Sequence, residues 1–366
     1  MPDNPKKIAV VILNWNGLKL MKRFLANVVV HSQDLAQVYV IDNDSQDESR
    51  DWLKIQHPEV SLIELPANYG YAGGYNRGLA EVKEPYALLL NSDVKVTESW
   101  LQPLLNRMEE NPQLAAIQPK VLDLKNPQYF EYAGACGGFL DYLGYPYCRG
   151  RLFETLEKDN GQYDDYREVF WATGAALMVN LDSFKQAGQL NESLFAHMEE
   201  IDLCWRLQLQ GYHVACEPQS VVYHLGGGTL DKLSPHKTFL NFRNSLIIMF
   251  LNLPHSEALL KIMTRLMLDA VAALRFLFMG KSAHIIAIFK AHFSFYQRFA
   301  ELAKKKQYIR VKPLAQLNGV YPRSVVKEYF IAKKVFFRAA VACFEMYSRR
   351  AACAQKHLTR VYLKMN

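Results

Sequence analysis

Four short polar clusters stand where apolar, β-branched runs end: Asn14-Trp-Asn-Gly17, Asp42-Asn-Asp-Ser45, Asn91-Ser-Asp93 and His224. In an open parallel sheet, ligands bind outside the carboxyl ends of the strands. Four such clusters in one chain therefore mark a ligand cleft better than any one alone. Asn91 and Asp93, at i and i+2, can turn two oxygens toward one hard divalent cation. A strand-end Asx turn is the plainer alternative. His224 gains value as a ligand only beside such a cation. Glu199-Glu-Ile-Asp202 sets three carboxylates at the start of a predicted helix, where the helix dipole favours them. Crowding can also raise one of their pKa values toward neutrality, as a general base requires. The segment Asn68–Gly78 holds four glycines ahead of a predicted helix. Such a loop lets backbone amides approach a phosphate, but the dinucleotide fingerprint G-x-G-x-x-G is missing after the first strand.

The elements that position these clusters are legible from periodicity. Ile8–Leu13, Val38–Ile41, Ser61–Leu65, Tyr86–Leu90 and Ala116–Val121 are strand-length apolar runs. Helical spacing separates them at Leu18–His31, Glu48–Gln56 and Ser99–Asn111. This alternation predicts right-handed βαβ units and a mostly parallel sheet. Residues 124–170 are rich in aromatics and glycine and predict loops or a small antiparallel insertion. Ala175–Asn180 reads as a strand and Glu199–Gln210 as a helix stopped by Gly211. Val214–Cys216 and Val221–His224 read as late strand pieces.

Charge divides the 366 residues. Residues 1–235 carry 20 Lys and Arg against 31 Asp and Glu, and residues 236–366 carry 23 against 5. An acidic front and a basic back argue against one uniform domain. Half of the chain is hydrophobic, which excludes disorder. The six cysteines show no metal or redox spacing and predict scattered, reduced core thiols. Neither a signal peptide nor a membrane-spanning run is visible, so the expected location is the cytoplasm.

Taken in order, the clusters resemble the family 2 glycosyltransferases, particularly the rhamnosyltransferase-like branch. The resemblance rests on Val10–Gly17, Val40–Ser45 with Asp47, Asn68–Asn76, Leu88–Asp93, Thr173-Gly-Ala175, Glu199–Arg206 and His224–Thr229, and covers about residues 6–250. It implies an α/β fold of the GT-A type and inverting sugar transfer from a nucleoside-diphosphate donor, with Mg²⁺ or Mn²⁺ as cofactor. It places Asp42 at the pyrimidine ring, and Asn14, Asn16, Asn68, Gly70, Gly73, Gly74, Asn76 and Ser92 around the donor nucleotide. It places Asp93 and Asn91 in a D-x-D position with His224 added to the metal shell, and Glu200 or Glu199 as the base. Trp171, Thr173, Gly174 and Asp202 fall on the acceptor side. Asn91 in place of the first Asp, and Glu in place of the commoner catalytic Asp, depart from the pattern.

The resemblance fades after Asn244. Residues 257–279 predict one helix with Lys261, Arg265, Asp269 and Arg275 on a narrow arc and apolar residues elsewhere. Val325–His357 predicts a second, basic helix. The expected division is a catalytic domain over 1–250 and a basic helical region over 251–366 that lies on an anionic membrane surface, beside a glycan or lipid-linked glycan acceptor. A dimerisation helix, or a lid packed on the catalytic domain, is the alternative. A nucleic-acid partner is not expected, because the basic half is too apolar and carries no recognised motif. The remaining rivals are a nicotinamide oxidoreductase, for which the glycine fingerprint is misplaced, and a catalytically impaired scaffold, which Asn91 would suit.

Overall fold

The computed structural model describes residues 6–226 and 234–337. Its first half is a wound α/β unit: β1 (Ile8–Asn14), α1 (Leu18–Ser32), β2 (Ala36–Asp42), α2 (Ser49–Gln56), β3 (Ser61–Glu64), α3 (Gly70–Gly78), β4 (Tyr86–Leu90), β5 (Val94–Val96), α4 (Leu101–Glu110) and β6 (Leu114–Asp123). The next stretch is a small sheet of β7 (Gly138–Asp141), β8 (Pro146–Cys148), β9 (Arg151–Leu152) and β10 (Thr155–Leu156), followed by the short edge strand β11 (Arg167–Glu168). Then come β12 (Ala176–Asn180), α5 (Leu181–Gln186), α6 (Glu199–Leu209) and β13 (His213–His224).

The main sheet has the order β11-β13-β6-β12-β4-β1-β2-β3, with β5 on β13. β3, β2, β1 and β4 run parallel, as do β6 and β13. β12 lies antiparallel between β4 and β6, which makes the sheet mixed. The two expected late strand pieces are one long strand, irregular between Glu217 and Val221. Side chains alternate across the sheet as the two-residue period requires. Ile8, Val10 and Ile12 belong to one core cluster with Met21, Leu25 and Leu104 of α1 and α4, while Ala9 and Val11 belong to the other with Tyr75, Leu203 and Trp205 of α3 and α6.

The expected glycine loop is a helix. Gly70–Gly78 forms α3, and all of Ala72–Asn76 is buried. The glycines allow close approach: a Cβ on Gly74 would stand 2.7 Å from Leu13 Cδ1, and one on Gly78 would collide with Ile41. Composition alone cannot separate a loop glycine from one that lets a helix press against a strand.

The remaining helices are α7 (Pro235–Asn252), α8 (His255–Phe278), α9 (Ser282–Gln297) and α10 (Phe299–Lys306). The expected helix over 257–279 is present as α8, and the middle of its charged arc, Arg265 and Asp269, faces inward. Arg265 and Asp269 are 4% and 1% exposed, while Leu260 and Met267 are 70% and 69% exposed. The chain then returns to the small sheet, where β14 (Val320–Tyr321) pairs parallel with β7. Most of the helix expected over Val325–His357 lies outside the described residues. Its described start forms only the short turn Lys327–Ile331. Cys136, Cys148, Cys204 and Cys216 are buried free thiols, as expected.

Candidate active site

Parallel pairing places the strand ends side by side. Asn14 and Asp42 are in register across β1 and β2. Asp42 is wholly buried and its carboxylate is engaged within the fold. It accepts from Asn14 Nδ2 and Ser45 N, both at 2.9 Å, with Arg50 Nε at 3.5 Å. Asn14 Nδ2 also reaches Ser45 and Ser49. These two residues brace the β1 and β2 end of the cleft from beneath. Asn16, exposed and with φ of 51°, stands at the cleft surface and accepts from Gln46 N at 2.7 Å. Asn43, which sequence reasoning passed over, donates to Asn68 Oδ1 and Gly70 O and accepts from Tyr69 N. It ties the second strand end to the start of α3. Its signal was its place inside the Asp42–Ser45 cluster.

Several expected site residues are spent on packing. Gly73 and Gly74 are inside α3. Asn76 exchanges hydrogen bonds with the backbone of Leu190. Trp171 is buried with Nε1 on Phe139 O. Asp202 faces Arg206 and Asn252, which tie α6 to its neighbours. Thr173 donates to Ala133 O. Each was read from its motif position, and side-chain direction is not legible there.

A second group converges. Asn91 N donates to Ala175 O at 3.0 Å, so the Asn91-Ser92-Asp93 turn sits against the Thr173–Ala175 segment. Ser92, Asn91 and Gly174 are partly exposed. Across Gly174 stand Glu200 and Tyr71. Tyr71 Oη donates to Gly174 O at 3.0 Å, and a Cβ on Gly174 would lie 3.8 Å from Glu200 Cβ. Pairing of β5 with β13 brings Asp93 beside His224, with Nε2 3.0 Å from Oδ1. Glu131, for which the sequence offers no signal, closes the other side of the ring at 3.4 Å from Nδ1. Burial works against a charged His224, but Asp93 and Glu131 prevail and push its pKa up to about 10.

Glu199 and Glu200 begin α6 after a strained run: Phe195, His197 and Met198 all have positive φ, between 65° and 75°. Non-glycine residues rarely hold that conformation unless the surroundings impose it. Asn244 of α7 imposes it here, donating to Leu194 O, Ala196 O and His197 O at 2.8–3.0 Å. Burial pushes the Glu200 pKa up to about 7. Glu199 is 6% exposed, and burial together with the Glu200 charge raises its pKa well above the usual carboxylate range. Its Oε2 has no hydrogen-bond partner. A carboxylate poised near neutrality in a cleft is what proton abstraction from a hydroxyl needs.

The family model for Glycosyl transferase family 2 matches residues 9–162, which include the ends of β1, β2 and β4. The matched stretch is a family 2 glycosyltransferase domain, on a fold of the GT-A type. The glycosyltransferase is 24% identical over 242 residues to the low-salt glycan biosynthesis hexosyltransferase Agl10 of Haloferax volcanii, covering 65% of this chain and 73% of the relative. It is 26% identical over 235 residues to the N-acetylglucosaminyl-diphospho-decaprenol L-rhamnosyltransferase of Mycobacterium tuberculosis, covering 59% and 75%. In fold it is similar to GalNAc-T7, solved with UDP, GalNAc and Mn²⁺: the TM-score is 0.54 at 16% identity, over 68% of this chain and 48% of that one. It is also similar to the mannosyltransferase PcManGT of Pyrobaculum calidifontis, solved with GDP-Man and Mn²⁺, with a TM-score of 0.50 at 12% identity over 81% and 88%.

Proposed function

We propose that the glycosyltransferase moves a sugar, with inversion, from a nucleoside-diphosphate donor to a hydroxyl of a glycan carried on a lipid. The observation that carries this reading is the juxtaposition across Thr173–Ala175. On one side is the Asn91-Ser92-Asp93 turn with His224, and on the other the Glu200 carboxylate with its raised pKa. The donor lies over Asn14, Asn16, Asn68 and Gly70, with its diphosphate at Asp93. The acceptor enters from the Gly174 side. Rhamnose is a fitting donor sugar, because a rhamnosyltransferase is among the relatives.

A divalent cation suits the donor set. Asp93 offers a carboxylate, and His224 would offer a ring nitrogen once the cation displaces the proton that Asp93 and Glu131 hold on it. Among the described residues no three His, Cys, Asp or Glu side chains gather as a metal cluster. Magnesium-type sites commonly use one or two carboxylates and take the remaining ligands from substrate phosphate and water, so Mg²⁺ or Mn²⁺ held by Asp93, His224 and the donor fits. Bound there, the cation supplies Lewis-acid stabilisation of the departing diphosphate. Glu200 takes the acceptor proton, and the attacking oxygen meets the anomeric carbon on the face away from the diphosphate. Glu199, deeper and with Oε2 unpartnered, stays protonated beside it and holds no proton-transfer role.

Glu200→Gln should lower transfer by about 10²–10⁴-fold, the range for loss of a general base, while nucleotide-sugar binding by calorimetry is unchanged. Glu199→Gln should keep most of the activity. The reverse ranking would exchange their roles, and full activity in both variants would overturn the site.

A further inference from the structure

The broad apolar side expected for the helix over 257–279 is the exposed side of α8 in the structure. The outer side of α8 carries Leu260, Met263, Met267, Val271, Leu274 and Phe278, spaced three or four residues apart and each at least 50% exposed. Two charges of that helix, Arg265 and Asp269, turn inward. Arg265 donates to Ser245 Oγ and Leu143 O, and Asp269 lies 3.0 Å from His292. α9, packed beside α8, adds Phe289, Phe293 and Tyr296 to the same exposed surface. Proteins in water bury such residues and expose the charges. A contiguous apolar surface of two helices marks an interaction face.

Charge decides the occupant. Arg275 and Lys290 are exposed on these helices, and Lys304 and Lys305 on α10. From residue 255 to 306 the acidic residues are Glu257, Asp269 and Glu301. Each already has a partner: Lys261, His292 and Arg298 respectively. A two-fold interface must complement itself, and a cationic rim facing its own copy repels. An anionic leaflet complements it. Tyr296 and Tyr308, both exposed, suit the headgroup level. Neither helix is long and apolar enough to cross a membrane, so the geometry is that of helices lying in the interfacial plane.

We propose that the outer face of α8 and α9 inserts into an anionic leaflet, with hydrophobic insertion as the main holding force and the basic rim as a secondary one. Both helices pack on α7, and α7 holds the loop before Glu199 through Asn244. The seated surface is thus one helix layer, roughly 10 Å, from the catalytic loop. That the acceptor is lipid-borne rests on the proposed function; the docking does not.

The full chain is tested by flotation with vesicles of phosphatidylcholine and phosphatidylglycerol. The wild type should float with the vesicles, remain bound in molar sodium chloride and come off in detergent. Met267→Glu combined with Phe289→Glu should weaken partition by roughly tenfold or more, as charge placed in an apolar layer requires, with an unchanged melting curve. Phe278→Trp should be quenched by brominated acyl chains. A wild type that stays in the aqueous phase, or is fully released by salt, overturns the proposal. So does a concentration-dependent dimer that the double variant dissociates while Phe278→Trp escapes quenching. Donor hydrolysis separates the two readings. Lost docking with hydrolysis retained supports the surface, whereas docking without turnover of any nucleotide sugar removes the transferase reading and leaves the surface standing.

Discussion

In the proposed role Glu200 depends on dry surroundings, and that dryness has a cost in stability. Its folded pKa of about 7 lies above the ordinary value of 4.5, and the Glu199 pKa is raised as well. A carboxyl whose folded pKa is raised contributes its full stability below the unfolded pKa. That contribution is lost as pH rises through the folded value. Glu200→Gln and Glu199→Gln should therefore melt a few degrees above the wild type at pH 8 and close to it at pH 4, read by differential scanning fluorimetry. Activity should run the other way. The rate of transfer should climb tenfold per pH unit below about 7 and level off above it, because only ionised Glu200 accepts a proton. A flat profile between pH 5.5 and 8 would remove Glu200 as the base. At this scale the motifs pointed to side chains that the structure gathers, Asp93 beside His224 and Glu200 across Gly174. They were misleading where the side chain turns into the fold, as at Asn76, Trp171 and Asp202.

At the scale of elements, the cleft is set by where helices begin and how closely they approach strands. α3 can lie on β1 and β2 only because Gly74 and Gly78 present no side chain to Leu13 and Ile41. Gly78→Ala should cost about 1–3 kcal/mol through overpacking, measured by urea denaturation. The wound βαβ order was legible because buried parallel strands read as continuous apolar runs. α3 was not legible, because glycine weakens every helical signal while packing supplies what propensity lacks. The clamp from α7 to the catalytic loop was equally hidden, since Asn244 carries no motif. Its three hydrogen bonds hold Leu194–His197 in a conformation costing on the order of 1–3 kcal/mol per strained residue. Asn244→Ala should lower kcat by roughly 10–100-fold, the scale of misplacing a catalytic group by about 1 Å. The KM for the donor should change little. A parallel loss of donor affinity would point to a general structural role instead.

At the scale of the molecule, the acidic front and the basic back are interlocked. α7 runs across residue 250, the expected boundary, and the chain beyond it returns to the small sheet. Val320–Tyr321 extends that sheet beside β7. Asp141 of β7 accepts from Val325 N at 3.0 Å, and Glu157 accepts from Phe337 N at 2.8 Å. Tyr329 reaches Thr155, and Phe337 packs within 5.3–5.7 Å of Phe139 and Tyr147. Charge composition separated the halves correctly as compositions, but it carries no information about backbone pairing between distant segments. The consequence is a prediction about truncation. A chain ending at residue 313 would leave β7 an open edge and strip Phe139 and Tyr147 of their cover. It should melt well below the full chain and bind dyes that report exposed apolar surface. A chain ending at residue 250 would also remove the partners of α7 and should aggregate on expression. A soluble, cooperatively folded product from residues 1–250 would show that the returning segment is an attachment rather than part of the catalytic fold.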